Sequence, residues 1–320
     1  MTDTSPILAV QGLRKSYPTG FWRKRVQVLS DVTFAVHRNE IVGFLGPNGA
    51  GKTTTIKVLN RLAFPDGGKV ILFGEEAGAG ADFRHRIGFM PEHPYFYEYL
   101  TGEEFLRLCG QLCGMSRRRT ESRSADLLAR VGLTGAGGTA IRKYSKGMMQ
   151  RLGLAQALLH DPELVILDEP MSGLDPMGRM EVRGIIRDLK AAGKTVFFSS
   201  HILSDVEALC DRVIMLHKGR KVAEGRVEEL IGPETLYIEL VVSPVLAHDR
   251  LAEEGIPPEA GYAQGDLLVL RAPDSEEANR WMASLLRAGC TIFSCVPMKK
   301  NLEEIFMERV GGSGATGAAS

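Results

Sequence analysis

Two stretches of this 320-residue chain carry side chains whose types and spacing could do chemistry. The first is Gly46-Pro47-Asn48-Gly49-Ala50-Gly51-Lys52-Thr53, with Thr54 directly after it. It has the form G-x-x-x-x-G-K-[ST] and stands between an apolar run and a helical pattern, the context in which such a loop grips phosphate. Glycines let the backbone curl until several N–H groups face one anion, and the helix start adds the positive end of its dipole. These residues are therefore expected to cradle a nucleoside triphosphate, ATP above others. Lys52 is expected to reach the β- and γ-phosphates, and the Thr53 hydroxyl to ligate Mg²⁺. The second stretch is Leu164-Val165-Ile166-Leu167-Asp168-Glu169-Pro170. Four apolar residues followed by two acids describe a buried strand whose C-terminal end opens into a site. Asp168 is expected to hold Mg²⁺ through water, and Glu169 to polarise an attacking water as general base.

The elements that must position these groups can be read from the hydrophobic pattern. Strand patterns cover 7–17, 28–36, 40–45, 69–73, 164–167, 195–199 and 213–216. A helix is expected from about Lys52 to Leu62, another over 178–192, and a long helical stretch over 101–131 with Thr101 and Glu104 as a capping box. Strands alternating with helices around a phosphate loop imply a mostly parallel α/β sheet. Composition changes near Gly232-Pro233. Beyond it, strand patterns at 236–242, 267–270 and 291–296 mix with helical ones at 245–254, 275–288 and 301–309. The reading divides the chain into residues 1–232, an α+β domain over 233–310, and a Gly/Ala/Ser-rich tail, 311–320, expected to be disordered. An insert from Pro18 to Arg25 combines Phe21 and Trp22 with three basic residues. Such a segment suits either a solvated hairpin tip or contact with anionic headgroups or a partner.

Further motifs give the chain a family likeness. From about residue 7 to 230 it resembles the nucleotide-binding subunit of an ABC transporter. Tyr144-Ser145-Lys146-Gly147-Met148-Met149-Gln150-Arg151 resembles the family signature, which caps the ATP held by the opposite subunit. Ser172-Gly173-Leu174-Asp175 resembles the loop that crosses the dimer interface, and Ser199-Ser200-His201 the switch histidine that contacts the γ-phosphate. Tyr17 lies where the family stacks an aromatic ring on adenine, and Gly88-Phe89-Met90-Pro91-Glu92 where it usually carries a Gln that senses Mg²⁺ and water. The resemblance thus implies roles for Tyr17, Ser145, Gly147, Asp175 and His201 at the nucleotide and for Glu92 at the metal. It also implies the fold: an α/β P-loop NTPase of the ABC type, with a mostly parallel sheet, an antiparallel β subdomain and a helical subdomain. Asn301-Leu302-Glu303-Glu304-Ile305-Phe306 resembles the terminal helix of the small domain carried by exporter subunits.

The sequence bends the family pattern in the signature, with Lys146 where glycine is usual and Met149 where Gln is often found, and at Glu92, where a carboxylate replaces an amide but can still ligate Mg²⁺. One phosphate loop and one signature per chain imply a head-to-tail homodimer in which Ser145 and Gly147 of each copy complete the other's site. Closure on ATP would then drive a membrane-spanning permease. Its expected contact lies over 92–100, where Pro94, Tyr95, Phe96, Tyr97 and Tyr99 are taken as an exposed aromatic cluster.

Bulk properties set the outer limits. Lys+Arg and Asp+Glu both number 39, so the net charge is +0, which argues against a nucleic-acid binder working by bulk positive charge. No apolar run is long enough to span a bilayer and no signal peptide is visible, so the chain is expected in the cytoplasm, held at the inner face of the membrane by the permease. The five cysteines read as reduced thiols, small and buried. The competing reading is a soluble ABC ATPase acting on ribosomes or DNA. Translation-associated members usually carry two nucleotide domains and chromosome-associated ones a long coiled coil, and neither is evident here.

Overall fold

The computed structural model describes residues 5–19, 24–78, 83–232, 235–243 and 248–312. Phe21 to Arg23 of the basic insert, and the tail beyond 312, lie outside the described residues. Two compact units divide the chain: one comprises residues up to Val227 and from Glu308, the other Glu228–Met307.

The first unit contains, in order, β1 (Leu8–Thr19), β2 (Lys24–Val36), β3 (Ile41–Leu45), α1 (Lys52–Leu59), β4 (Gly67–Leu72), β5 (Glu75–Glu76), β6 (Ile87–Met90), α2 (Gly102–Leu112), α3 (Arg117–Arg130), α4 (Lys146–Leu158), β7 (Leu164–Leu167), α5 (Pro176–Ala191), β8 (Thr195–Ser200), α6 (Leu203–Glu207), β9 (Arg212–His217) and β10 (Arg220–Arg226). A six-stranded sheet has the order β10-β9-β3-β8-β7-β6. Its strands from β9 to β6 are parallel and β10 is antiparallel. β3, β7 and β8 are buried along their whole length, which is why they read as unbroken apolar runs rather than alternations. A second sheet, β2-β1-β4-β5, is antiparallel. The two sheets meet through three buried rings. Phe34 of β2 lies with its centroid 5.5 Å from Phe44 of β3 and 5.7 Å from Phe197 of β8, and those two are 5.2 Å apart. Burying each such ring contributes about 1.5–3 kcal/mol.

Four neighbouring parallel strands, β3, β8, β7 and β6, end on the same edge of the sheet. The chain leaves them into Gly46, His201, Asp168 and Pro91, so the topology gathers every motif that follows an apolar run.

The long helical stretch expected over 101–131 is two helices. α2 ends at Leu112, Gly114 turns the chain with φ of 71°, and Ser116 caps α3. The Thr101–Glu104 capping box is present in full. α4 lies over β6: a Cβ on Gly88 would sit 2.2 Å from the Ala157 carbonyl oxygen, so only glycine permits this approach. His160 Nε2 lies 3.0 Å from the Ile87 carbonyl oxygen and fastens the same junction. The thiols depart from expectation, since Cys113 and Cys295 are exposed and only Cys290 is fully buried.

At the opposite edge of the sheet Glu163, just before β7, accepts from Arg86 Nε at 2.6 Å and from Arg38 at 3.0 Å. The Arg86 hydrogen bond chiefly holds the Glu163 carboxyl down at about 2, from 4.5. A depressed carboxylate contributes stability that is complete above its unfolded value and is lost as pH falls toward the folded one. Glu163→Gln is therefore expected to flatten the acid limb of the stability curve between about pH 4.5 and 2, checked by urea midpoints across that window. The carboxylate is 42% exposed, so solvent screening keeps the effect modest.

The second unit is built from α7 (Val227–Ile231, of which Val227 belongs to the first), β11 (Thr235–Ser243), α8 (His248–Glu253), β12 (Gly261–Gln264), β13 (Leu267–Ala272), α9 (Ser275–Arg287), β14 (Thr291–Lys299) and α10 (Leu302–Gly312, of which the residues from Glu308 belong to the first). Its antiparallel sheet has the order β12-β13-β11-β14, a β-α-β-β-α-β arrangement. Ile238, Leu240, Val242, Leu268 and Leu270 pack there with Trp281 and Leu285 of α9. β12 went unread in the sequence because its four residues are half-exposed to exposed and offer no apolar alternation.

Candidate functional site

The phosphate loop joins β3 to α1. Gly51 is the N-cap of α1 at φ 107°, a conformation that side chains rarely adopt, and Lys52 is the first helical residue. The first turn of α1 carries no acidic residue, so nothing competes there with an incoming anion. Asn48, Gly49, Gly51, Lys52, Thr53 and Thr54 line one cleft of about 420 Å³ together with Glu92, Glu169 and His201. Val28 and Ser172 complete its wall; Val28 has no role assigned from the sequence, and Ser172 is named there only as part of the motif running to Asp175.

Lys52 is almost fully buried. Its ammonium donates to the Gly46 carbonyl oxygen at 2.7 Å and pairs with Glu169 Oε1 at 3.2 Å. His201 Nδ1 approaches the other carboxylate oxygen of Glu169 at 2.9 Å. Thr53 Oγ1 donates to Asp168 Oδ1 at 3.4 Å. Burial, more than any other cause, pushes the Asp168 carboxyl above its ordinary range, and the charges of Glu92 and Glu169 push the same way. Hydrogen bonds from Ser199 and Thr53 oppose that shift. A hydroxyl and carboxylates clustered in this way are hard oxygen donors, matched to Mg²⁺.

Glu169 has φ of 49°. For a long L side chain this left-handed backbone costs about 1–3 kcal/mol and persists only where neighbours hold it. Two residues do so. The backbone N–H of Glu169 donates to Ser199 Oγ at 2.9 Å, and Ser199 Oγ donates in turn to Asp168 Oδ1 at 2.6 Å. From the other side, Gln150 Nε2 donates to the carbonyl oxygens of Pro170 at 3.0 Å and Glu169 at 3.5 Å. Both residues were quoted in the sequence only as parts of motifs. The available signal for Gln150 was its spacing, since it shares the buried face of α4 with Leu154 and Leu158, a polar residue in an apolar stripe.

Ser145, Gly147 and Asp175 are placed elsewhere. With Lys146, Arg151, Gly173 and Glu181 they line a second cleft of about 430 Å³ that shares no residue with the first. Ser145 caps α4, accepting from Met148 N at 3.2 Å, and Asp175 caps α5, accepting from Gly178 N at 3.0 Å. Each cap contributes about 0.5–2 kcal/mol to its helix. A serine hydroxyl that accepts in a cap still has its O–H to donate, so capping leaves Ser145 able to bond a phosphate. Tyr17 is not among the residues lining either cleft. It is exposed, opposite Val26 on β2, with the Lys15 ammonium 5.2 Å from its ring. The aromatic loop also needs correction. Tyr95, Tyr97 and Tyr99 are exposed, but Phe96 is buried edge-on against Phe105 with centroids 5.0 Å apart.

A glycine-rich loop between a central parallel strand and a helix, with an Asp-Glu strand end beside it, defines a P-loop NTPase. The family described as ABC transporter matches residues 29–172. The chain is 42% identical over 313 residues to an uncharacterised ABC transporter ATP-binding protein of Nostoc sp., covering 96% of this chain and 91% of the relative. It is 38% identical to a daunorubicin resistance ATP-binding protein of Streptomyces coeruleorubidus, over 97% of both chains. A solved ATP-binding subunit of an ABC transporter superposes with a TM-score of 0.63 at 36% identity, over 70% of this chain and 91% of the other. The chain belongs to the ABC transporter ATP-binding protein family. It is thus an ATPase with the P-loop α/β fold of that family. Among the described residues no helix is long and apolar enough to cross a membrane.

Proposed function

We propose that this chain hydrolyses ATP as one half of a head-to-tail homodimer and that the resulting closure drives export through a separate membrane-spanning permease. The observation that carries this reading is the separation of the two clefts. Lys52, Thr53, Glu169 and His201 line one, and Ser145, Gly147 and Asp175 line the other. A single copy then holds two unlike half-sites, and two copies facing each other make two whole ones.

In this reading the α1 N-terminus and Lys52 bind the phosphates, and His201 contacts the γ-phosphate. Glu169 takes the proton of the attacking water. Thr53, Asp168 and Glu92 would hold Mg²⁺, which when bound neutralises charge on the phosphoryl oxygens. Ser145, at the head of α4, donates to the nucleotide of the other copy. Tyr17 remains proposed as an adenine contact through its exposed ring. The relatives named for drug resistance or transport support the exporter assignment, as does the second unit. The exposed Tyr95, Tyr97 and Tyr99, which line a groove together with Met149 of α4, would give the permease a face to press on. Such docking would keep the chain at the inner face of the membrane.

Complementation tests the dimer. A Lys52→Ala chain and a Ser145→Arg chain are each expected to be inactive, and their mixture to recover ATPase activity, because a mixed pair retains one intact composite site. No recovery, from a wild-type chain that hydrolyses ATP, would exclude the shared site. Capture of the tagged chain from detergent-solubilised membranes is expected to return a subunit with several apolar spans that stimulates its ATPase. Recovery of ribosomes or DNA instead would move the chain to the soluble class.

A further inference from the structure

We propose that Gln150 is a positioning residue for hydrolysis: its side-chain amide, reaching from α4, holds the Glu169–Pro170 turn in the backbone conformation that aims Glu169 into the nucleotide cleft. The inference rests on the reading of Glu169 as the base.

Gln150 is 4% exposed and sits on the face of α4 that packs inward. Its amide nitrogen faces two carbonyl oxygens, those of Pro170 at 3.0 Å and Glu169 at 3.5 Å. Both partners are acceptors, so the orientation of the amide is fixed, with nitrogen toward the turn. Residue 169 is where the backbone leaves ordinary conformational space. Its N–H is held by Ser199 and its carbonyl by Gln150, so the peptide units on either side of the Glu169 Cα are each anchored by a buried side chain. The carboxylate can then meet Lys52 and His201 at 3.2 Å and 2.9 Å. Without the amide, the turn is free to relax toward the extended conformation that a residue before proline prefers, which swings the side chain away from the cleft.

The helix that supplies Gln150 is also the one capped by Ser145. The amide therefore links the second cleft of a chain to the base in its first. Gln150 has no hydrogen bond to Lys52 or Thr53 and reaches Lys52 only through Glu169, so its loss should leave nucleotide affinity unchanged or raise it, as loss of the Glu169 carboxylate would.

The test compares Gln150→Met and Gln150→Glu with wild type. Methionine keeps the length and loses the donor; glutamate keeps the shape and faces the carbonyls with acceptors. Both are expected to lower kcat by up to about 100-fold, the cost of a misplaced catalytic group. Affinity for a fluorescent ATP analogue should hold or rise, and KM for ATP should not increase. Adding Gln150→Met to Glu169→Gln should cost no further activity, because a residue that acts only through the base has nothing left to position. Wild-type kcat in either variant overturns the proposal, as does a full additional loss in the Glu169→Gln background or a parallel loss of analogue binding. If Gln150→Met does not fold, Gln150→Glu decides the matter alone. A Glu169→Gln chain with wild-type turnover would instead remove the reading of the base. Wild-type turnover in Gln150→Met beside an inactive Glu169→Gln removes the positioning role only.

Discussion

Glu169→Gln is expected to bind ATP and to lose turnover by about 10²–10⁴-fold, the usual contribution of a general base. The amide keeps the shape of the side chain and its contact with His201, but it cannot take a proton from water. The variant also releases Lys52 from its buried counter-ion, so the ammonium meets the phosphates without a competitor. Affinity for ATP should therefore hold or rise while hydrolysis stops. With the γ-phosphate retained, the ATP-bound dimer is expected to accumulate, since ligand binding favours the state that holds it best. Light scattering on a sizing column with and without ATP reads this directly, beside a phosphate-release assay. Normal phosphate release by the variant would remove Glu169 as the base.

Lys52→Ala is expected to weaken ATP binding by about 10²-fold or more, as removal of one partner from a buried charged contact commonly does. A second cost comes with it. Lys52 and Glu169 are 6% and 7% exposed, and removing the lysine leaves the glutamate charge buried beside His201 alone. A stranded charge of this kind destabilises by about 3–5 kcal/mol. The two effects can be separated. Lys52→Met combined with Glu169→Gln removes both charges, so it should regain the lost stability but none of the lost affinity. Thermal unfolding and titration with a fluorescent ATP analogue give the two readings independently. Unchanged affinity in the single variant would defeat the assignment of Gly46 to Thr53 as a phosphate cradle.

The residues around the first cleft that were legible in the sequence share one property: each lies beyond the C-terminal end of a strand of the parallel sheet. Lys52, Asp168, His201 and Glu92 follow β3, β7, β8 and β6, and neighbouring parallel strands deliver their ends to one edge. Local pattern sufficed for Lys52 and Asp168, whereas His201 and Glu92 were legible through the family resemblance of the segments around them. What escaped the reading depends on packing between distant segments. Ser199 hydroxyl spans the two acids from a different strand, and Gln150 reaches a turn twenty residues further along the chain. Neither partner is visible from its own neighbourhood. Phe96 illustrates the same limit in an aromatic loop, where only the position of Phe105 decides which ring turns inward. The break after Leu112 was signalled by Gly114 and Ser116, but the apolar periodicity on both sides of it masked the interruption.

The junction of α4 with β6 has a consequence for timing. Gly88 leaves no gap between the strand and the Ala157 carbonyl, and His160 binds the Ile87 carbonyl beside it. Close-packed contacts of this kind shift together rather than slide. α4 is thus a beam with Ser145 at its head and its tail seated on the strand that leads to Glu92. Along its length it also touches the turn that carries Glu169. If the proposed dimer forms, a tilt at the head of the beam would be felt by both acids at once, and arrival of one nucleotide would be tied to readiness to cleave the other.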